Sequence, residues 1–152
     1  LNVQGDEPEM DAGVLDALVA GMQHKPDALM GTVATAWPDG IPTDNAGCVK
    51  VVRDAEGYAL YFSRSAIPFH LEGGVPAPVF RHIGLYAYRA GFLSTFVGWP
   101  PAAAEQSESL EQLRALAHDA HIQIELAPEA VPAGVDTESD LAAVRALLGA
   151  EQ

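Results

Sequence analysis

Apolar residues along the chain switch between two spacings, one suited to helices and one to strands. Val14, Leu15, Leu18, Val19 and Met22 recur at the 3.6-residue period and predict a helix over 11–22. Residues 29–37 form a β-rich run. Two further strands, 48–53 and 58–63, are joined by Asp54-Ala55-Glu56-Gly57, a hairpin turn with glycine where a positive φ is needed. Phe80 to Tyr88 reads as a long strand, 91–97 and 107–118 as helices, and His121 to Leu126 as an alternating strand. Thr137-x-x-Asp140 fits the capped start of a last helix over 137–148. Between these elements, 38–47 is a loop, and 67–79 is an irregular excursion with Pro68, Pro76, Pro78 and Gly73-Gly74. Leu1 to Gln4 reads as the end of a strand already under way, as expected if an N-terminal portion is missing.

Strands alternating with helices imply an α/β domain: a mostly parallel sheet flanked by helices, with an antiparallel hairpin as an extension. Ligands in such folds gather beyond the carboxyl ends of the strands. That rule selects Gly5-Asp6 after the first strand and Gly134-Val135-Asp136 before the last helix.

Composition narrows the class. Hydrophobic residues make up 49% of the 152 and charged residues 19%, enough apolar material for a single folded domain. Lys+Arg number 8 against 21 Asp+Glu, a net charge of −13, which excludes binding nucleic acid through bulk positive charge. Cys48 is the one cysteine, so the chain has no internal disulfide and suits the cytoplasm. No apolar run approaches the roughly 18 residues of a membrane span.

The candidate chemistry is polar and dispersed. Asp6 and Asp136 stand 130 positions apart, yet both fall at the sheet's carboxyl edge, where two carboxylates can share one Mg²⁺. Each also has a plainer role, as a turn acid and a helix cap. His82, Gly84 and Tyr86 share one face of a strand and can line a pocket wall, or can simply pack. Glu111 and Gln112 lie on a helix flank that is equally suited to solvent. Arg64, after a strand, offers a guanidinium fork to an anionic group. P-loop, hydrolase-elbow and zincin motifs do not occur.

In order, Asn2-Val3-Gln4-Gly5-Asp6-Glu7-Pro8, Val49-Lys50-Val51-Val52, Tyr58 to Arg64, Arg81 to Arg89, Leu110 to Arg114 and Gly134-Val135-Asp136-Thr137 closely resemble the 3-deoxy-manno-octulosonate cytidylyltransferases of lipopolysaccharide assembly. The resemblance covers nearly the whole chain. It implies a single cytidylyltransferase domain over 1–152 without the family's N-terminal nucleotide-binding segment. It also implies transfer of CMP from CTP to 3-deoxy-manno-octulosonate (Kdo), with release of pyrophosphate. Asp6 and Asp136 match the family's catalytic Mg²⁺ carboxylates; Gln4, Arg64, His82, Tyr86, Glu111 and Gln112 match its sugar-acid pocket. A cytoplasmic homodimer is implied, with the Ile83, Leu85 and Ala87 face of the long strand covered by the second copy. Leu71 stands where the family has a second arginine, leaving His70 or Arg81 to compensate, and Ala46-Gly47-Cys48 replaces its Pro-Asn loop. A cytidylyltransferase for another acid sugar of the sialic-acid type, or a non-catalytic self-associating fragment, are the competing readings.

Overall fold

The computed structural model describes residues 1–3, 11–127, 141–142 and 145–146. The elements in chain order are α1 (Ala12–His24), β1 (Met30–Ala36), β2 (Lys50–Arg53), β3 (Ala59–Ser63), β4 (Phe80–Tyr88), α2 (Ala90–Gly98), α3 (Ala103–Glu108), α4 (Gln112–Ala117) and β5 (Ile122–Leu126). One five-stranded sheet runs in the order β3-β2-β4-β1-β5. Of the helix expected over 137–148, residues 141–142 and 145–146 are described and are helical.

The α/β class holds, but among the described residues the sheet is mixed rather than mostly parallel. β1 pairs in parallel with β5, whereas β1–β4, β2–β3 and β2–β4 are all antiparallel. Parallel neighbours need a crossover, usually a helix, and no helix lies between β1 and β4. The β2–β3 hairpin turns at Gly57, whose φ is +93°, as its place in the sequence required. β2 begins at Lys50 rather than Cys48, because the Cys48 N–H is taken by the Asn45 carbonyl in a turn (3.2 Å).

Helices pack on both faces. On one, Val14, Leu18 and Met22 of α1 meet Val33, Ile83, Leu85 and Ala87. The Ile83–Leu85–Ala87 face is therefore covered by α1 of the same chain, not by a second copy. The 3.6-residue stripe of α1 is the complement that the alternation of β4 lacked when read alone. On the other face, Phe62, Phe92, Phe96, Leu110, Leu113 and Ile124 form the larger core. Arg89, just past β4, fastens the end of α1 by donating to the carbonyls of Met22, Lys25 and Ala28. Leu18 is fully buried, so Leu18→Ala is expected to lower stability by about 2–5 kcal/mol in urea unfolding, with an unchanged m value.

The helix expected over 107–118 is two. It breaks at Ser109, which adopts φ 53°, ψ 50°, and the Leu110 N–H returns to the Glu105 carbonyl (3.2 Å). Leu110, Leu113 and Leu116 all follow the break and keep helical spacing among themselves, so the apolar pattern carried no mark of Ser109. α3 and α4 are then held together by a bidentate pair: Arg114 donates through Nε to Glu105 Oε2 (2.8 Å) and through Nη2 to Oε1. Glu105 also accepts the Ala102 N–H, at 2.9 Å. The Arg114 hydrogen bonds outweigh the opposing effect of burial and hold the Glu105 carboxyl below its usual range.

Candidate functional site

β4 sets one wall of the candidate site. Its register against β1 slips between Thr32 and Val33, leaving Gly84 and Leu85 as a bulge. Thr32 fills the irregularity: its Oγ1 lies 2.7 Å from the Leu85 carbonyl, 3.1 Å from the Ile83 carbonyl and 2.9 Å from His82 Nε2. A hydroxyl has one proton, and both carbonyls can only accept. Thr32 therefore spends its proton on the carbonyls and accepts from His82 Nε2–H. The tautomer follows from this: Nδ1 of His82 carries the free lone pair. His82 is buried among Thr32, Phe62 (ring centroids 4.9 Å) and Tyr86 (5.6 Å). That burial, with the Arg81 charge adding to it, pushes its pKa down to about 3, so the ring is neutral near pH 7.

Tyr86 continues the wall towards Tyr88, with centroids 6.0 Å apart. Burial, with smaller contributions from Tyr88 and Glu111, raises the Tyr86 phenol far above its ordinary value. The hydroxyl is a donor at any working pH. Tyr86 and Tyr88 pack against the core that holds Leu110 and Leu113, the residues on either side of Glu111 and Gln112, which puts the corner between α3 and α4 near this wall. Gln112 follows at the first position of α4, 3% exposed, and its Nε2 has no protein partner. A buried donor left unsatisfied costs about 1–3 kcal/mol, which a hydroxyl-bearing ligand would recover.

Arg64 sits at the end of β3 and is heavily used. Its Nε donates to the Glu108 carbonyl (2.7 Å), Nη1 to the Ala46 carbonyl (3.0 Å) and Nη2 to the Ser109 carbonyl (3.5 Å). Three of five N–H groups are thus placed, leaving two for an anion. The Arg64 main chain is held as firmly. Glu108 Oε2 accepts its N–H (2.6 Å), and Lys50 Nζ donates to its carbonyl (2.7 Å) and to that of Asn45 (2.6 Å). Glu108 further accepts from Ser63 Oγ (2.8 Å) and Tyr61 Oη (3.1 Å). Burial would raise the Glu108 carboxyl, but these donors outweigh it and hold it below its usual range. Lys50 is fully buried and stacks its ammonium 5.3 Å from the Trp37 ring. Burial lowers its pKa, partly offset by Cys48 and Asp44.

The structure thus brings His82, Tyr86 and the Glu111–Gln112 corner together and ties Arg64 to that corner through the Glu108 and Ser109 carbonyls. Gln4, Asp6 and Asp136 lie outside the described residues. Asn2, two residues before Gln4, pairs with Tyr86, the Asn2 N–H donating to its carbonyl at 2.7 Å. Lys50, Glu108 and Thr32 carry parts that sequence reasoning did not assign them; a lysine inside the apolar run Val49-Lys50-Val51-Val52 was the readable sign of one. His70 and Leu71 are exposed and line a separate cleft of about 560 Å³ under the 66–79 excursion, with Thr43, Phe69 and Val75. His70, named above as a substitute for the missing arginine, thus lies in that cleft, whereas Arg64, His82, Tyr86, Glu111 and Gln112 do not line it. Among the described residues no three His, Cys, Asp or Glu side chains gather as a metal set, and no helix is long and apolar enough to cross a membrane.

The pKa of His82 has a consequence for stability. The neutral form is favoured in the folded chain, so below the unfolded value of about 6.5 the unfolded chain binds the extra proton. Stability is therefore full above pH 6.5 and falls as pH drops towards 3. Between pH 6.5 and 5 the Tm of the wild type is expected to drop more steeply than that of His82→Gln; parallel curves would contradict the buried neutral ring.

Comparisons with known proteins bear on the family and the fold. Residues 1–122 match the family described as "Cytidylyltransferase". The 3-deoxy-manno-octulosonate cytidylyltransferase of Pseudomonas fluorescens is 49% identical over 160 residues, covering 99% of this chain and 62% of that protein. That of Tolumonas auensis is 46% identical over 155 residues, covering 98% and 61%. A solved structure of CMP:2-keto-3-deoxy-manno-octonic acid synthetase complexed with CTP superposes with a TM-score of 0.91 at 36% identity, over 99% of this chain and 61% of that one. The chain spans about three fifths of the length of the relatives it matches.

Proposed function

The chain belongs to the cytidylyltransferase family, and on that premise we propose that it supplies the sugar-acid site for transfer of CMP from CTP to Kdo. The anomeric hydroxyl of Kdo attacks the α-phosphorus of CTP, forming the new P–O bond as pyrophosphate leaves. One observation carries the reading: a neutral His82 and a protonated Tyr86 share a wall beside the Glu111–Gln112 corner, where a buried amide donor has no partner. A polyhydroxylated acid uses such a set fully. His82 Nδ1 accepts from a hydroxyl, Tyr86 Oη and Gln112 Nε2 donate, Glu111 accepts, and the two unspent N–H groups of Arg64 meet the carboxylate. Gln4 completes the set by the family resemblance. Kdo is favoured over a sialic-type sugar by the same residues, which are the ones the Kdo-specific resemblance selects.

Asp6 and Asp136 are proposed as the catalytic pair holding Mg²⁺. Two carboxylates are the hard oxygen donors this ion prefers. When bound, the ion offsets phosphate charge and lowers the pKa of a coordinated hydroxyl. We place the protein in the cytoplasm, with CTP.

Self-association is also proposed, through the excursion rather than β4: Phe69, Leu71 and Val75 are 82%, 70% and 93% exposed. Light scattering at micromolar concentration is expected to give twice the chain mass, and the chain mass after a Phe69→Ser, Val75→Ser double change.

The test of function is pyrophosphate release from CTP with Kdo, by this chain joined to the part of the Pseudomonas fluorescens relative outside the match. Kdo-dependent release is expected. Release with a sialic acid but not Kdo would move the reading to the second sugar, and release with neither would overturn it.

A further inference from the structure

Both main-chain polar groups of one residue, Arg64, are held by buried or half-buried charges of opposite sign. The N–H of Arg64 enters the Glu108 carboxylate (2.6 Å) and its C=O receives the Lys50 ammonium (2.7 Å). From there the contacts close a ring. Lys50 also takes the Asn45 carbonyl and Arg64 Nη1 the Ala46 carbonyl, so one turn is held by both cations. Glu108 receives Ser63 and Tyr61 through its carboxylate, while its own carbonyl receives Arg64 Nε. The ring therefore ties β2, the end of β3, the 45–46 turn and the end of α3 to one guanidinium.

We infer that Lys50 and Glu108 are positioning residues that fix the Arg64 guanidinium, and with it the Glu111–Gln112 corner, for a sugar carboxylate. The choice of sugar acid rests on the function proposed above; the hold on Arg64 does not. A fold requirement alone does not explain the arrangement. A buried lysine is costly, an apolar side chain of similar volume is often as stable in such a place, and β2 already has its ladder partners in β3 and β4. Nor is Lys50 placed to bind the ligand itself: it is fully buried, with two carbonyls and the Trp37 ring around its ammonium. Its position is that of a support behind the arginine.

The experiment compares wild type, Lys50→Met and Glu108→Gln by NMR, following solvent exchange of the Arg64 Nε–H and the core methyl resonances, and then titrates each with Kdo. Both variants are expected to keep the core spectrum, to exchange the Arg64 Nε–H at least tenfold faster, and to bind Kdo at least tenfold more weakly. Unchanged Arg64 exchange in both variants would overturn the inference, whatever happens to Kdo. Collapse of the core spectrum in both would also overturn it, by assigning the pair to the fold. Faster exchange together with a wild type blind to Kdo would sink the sugar-acid reading and leave the hold on Arg64 standing.

Discussion

Arg64→Ala is expected to weaken Kdo binding by about thirtyfold to several thousandfold, the range set by about 2–5 kcal/mol for truncating one partner of a desolvated charge pair. CTP binding in the complemented enzyme is expected to change much less. The loss has two sources: two N–H groups no longer meet the carboxylate, and the carbonyls of Ala46, Glu108 and Ser109 lose their donor. Arg64→Lys separates them. A lysine keeps the charge but cannot bridge three carbonyls and still present a fork, so it is expected to restore only a small part of the affinity. Calorimetric titration with each substrate is the measurement, and equal losses for Kdo and CTP would contradict the assignment.

The second large effect concerns the acid pair. Asp6→Asn and Asp136→Asn are each expected to remove most Mg²⁺-dependent CMP-Kdo formation in the complemented enzyme while Tm stays within a few degrees. Asn preserves size and one oxygen but removes the charge that a hard divalent cation requires. As a turn acid or a helix cap, either Asp would tolerate the change, because Asn caps a helix as well as Asp does. Activity and melting on the same samples therefore separate the two roles, and near-normal turnover in either variant would rule out a shared ion.

Much of this was legible in the sequence, for identifiable reasons. Local periodicity located α1, the β2–β3 hairpin and β4 because each is patterned by one dominant neighbour. The direction of the sheet was not legible, since it depends on β4 inserting between β2 and β1 without a helical crossover. The break at Ser109 left no mark in the apolar pattern, whose leucines begin only at Leu110, and the contacts of the Glu108 carboxylate just before it, with Ser63 and Arg64, span 44 or more positions. For the site, His82 and Tyr86 emerged from alternation, Arg64 from its place at a strand end and Glu111 and Gln112 from a helix flank, and the family resemblance joined them into one pocket. Thr32, which fixes the His82 tautomer, lies 50 positions away on another strand and carries no sign of its own. Lys50 and Glu108 were visible as types but not as parts, because a charge in an apolar run declares its burial without naming its partners.

The central claim is that this chain holds a sugar-acid site at β4 and the α3–α4 corner, and an NMR titration of the chain with Kdo tests it most directly. The account predicts saturable shifts at the Gln112 side-chain amide, the Arg64 Nε–H and the His82 ring, with the ring remaining neutral, and much weaker shifts with a neutral sugar of similar size. Shifts confined to the cleft of Phe69, Leu71 and Val75, or equal responses to the neutral sugar, would contradict it.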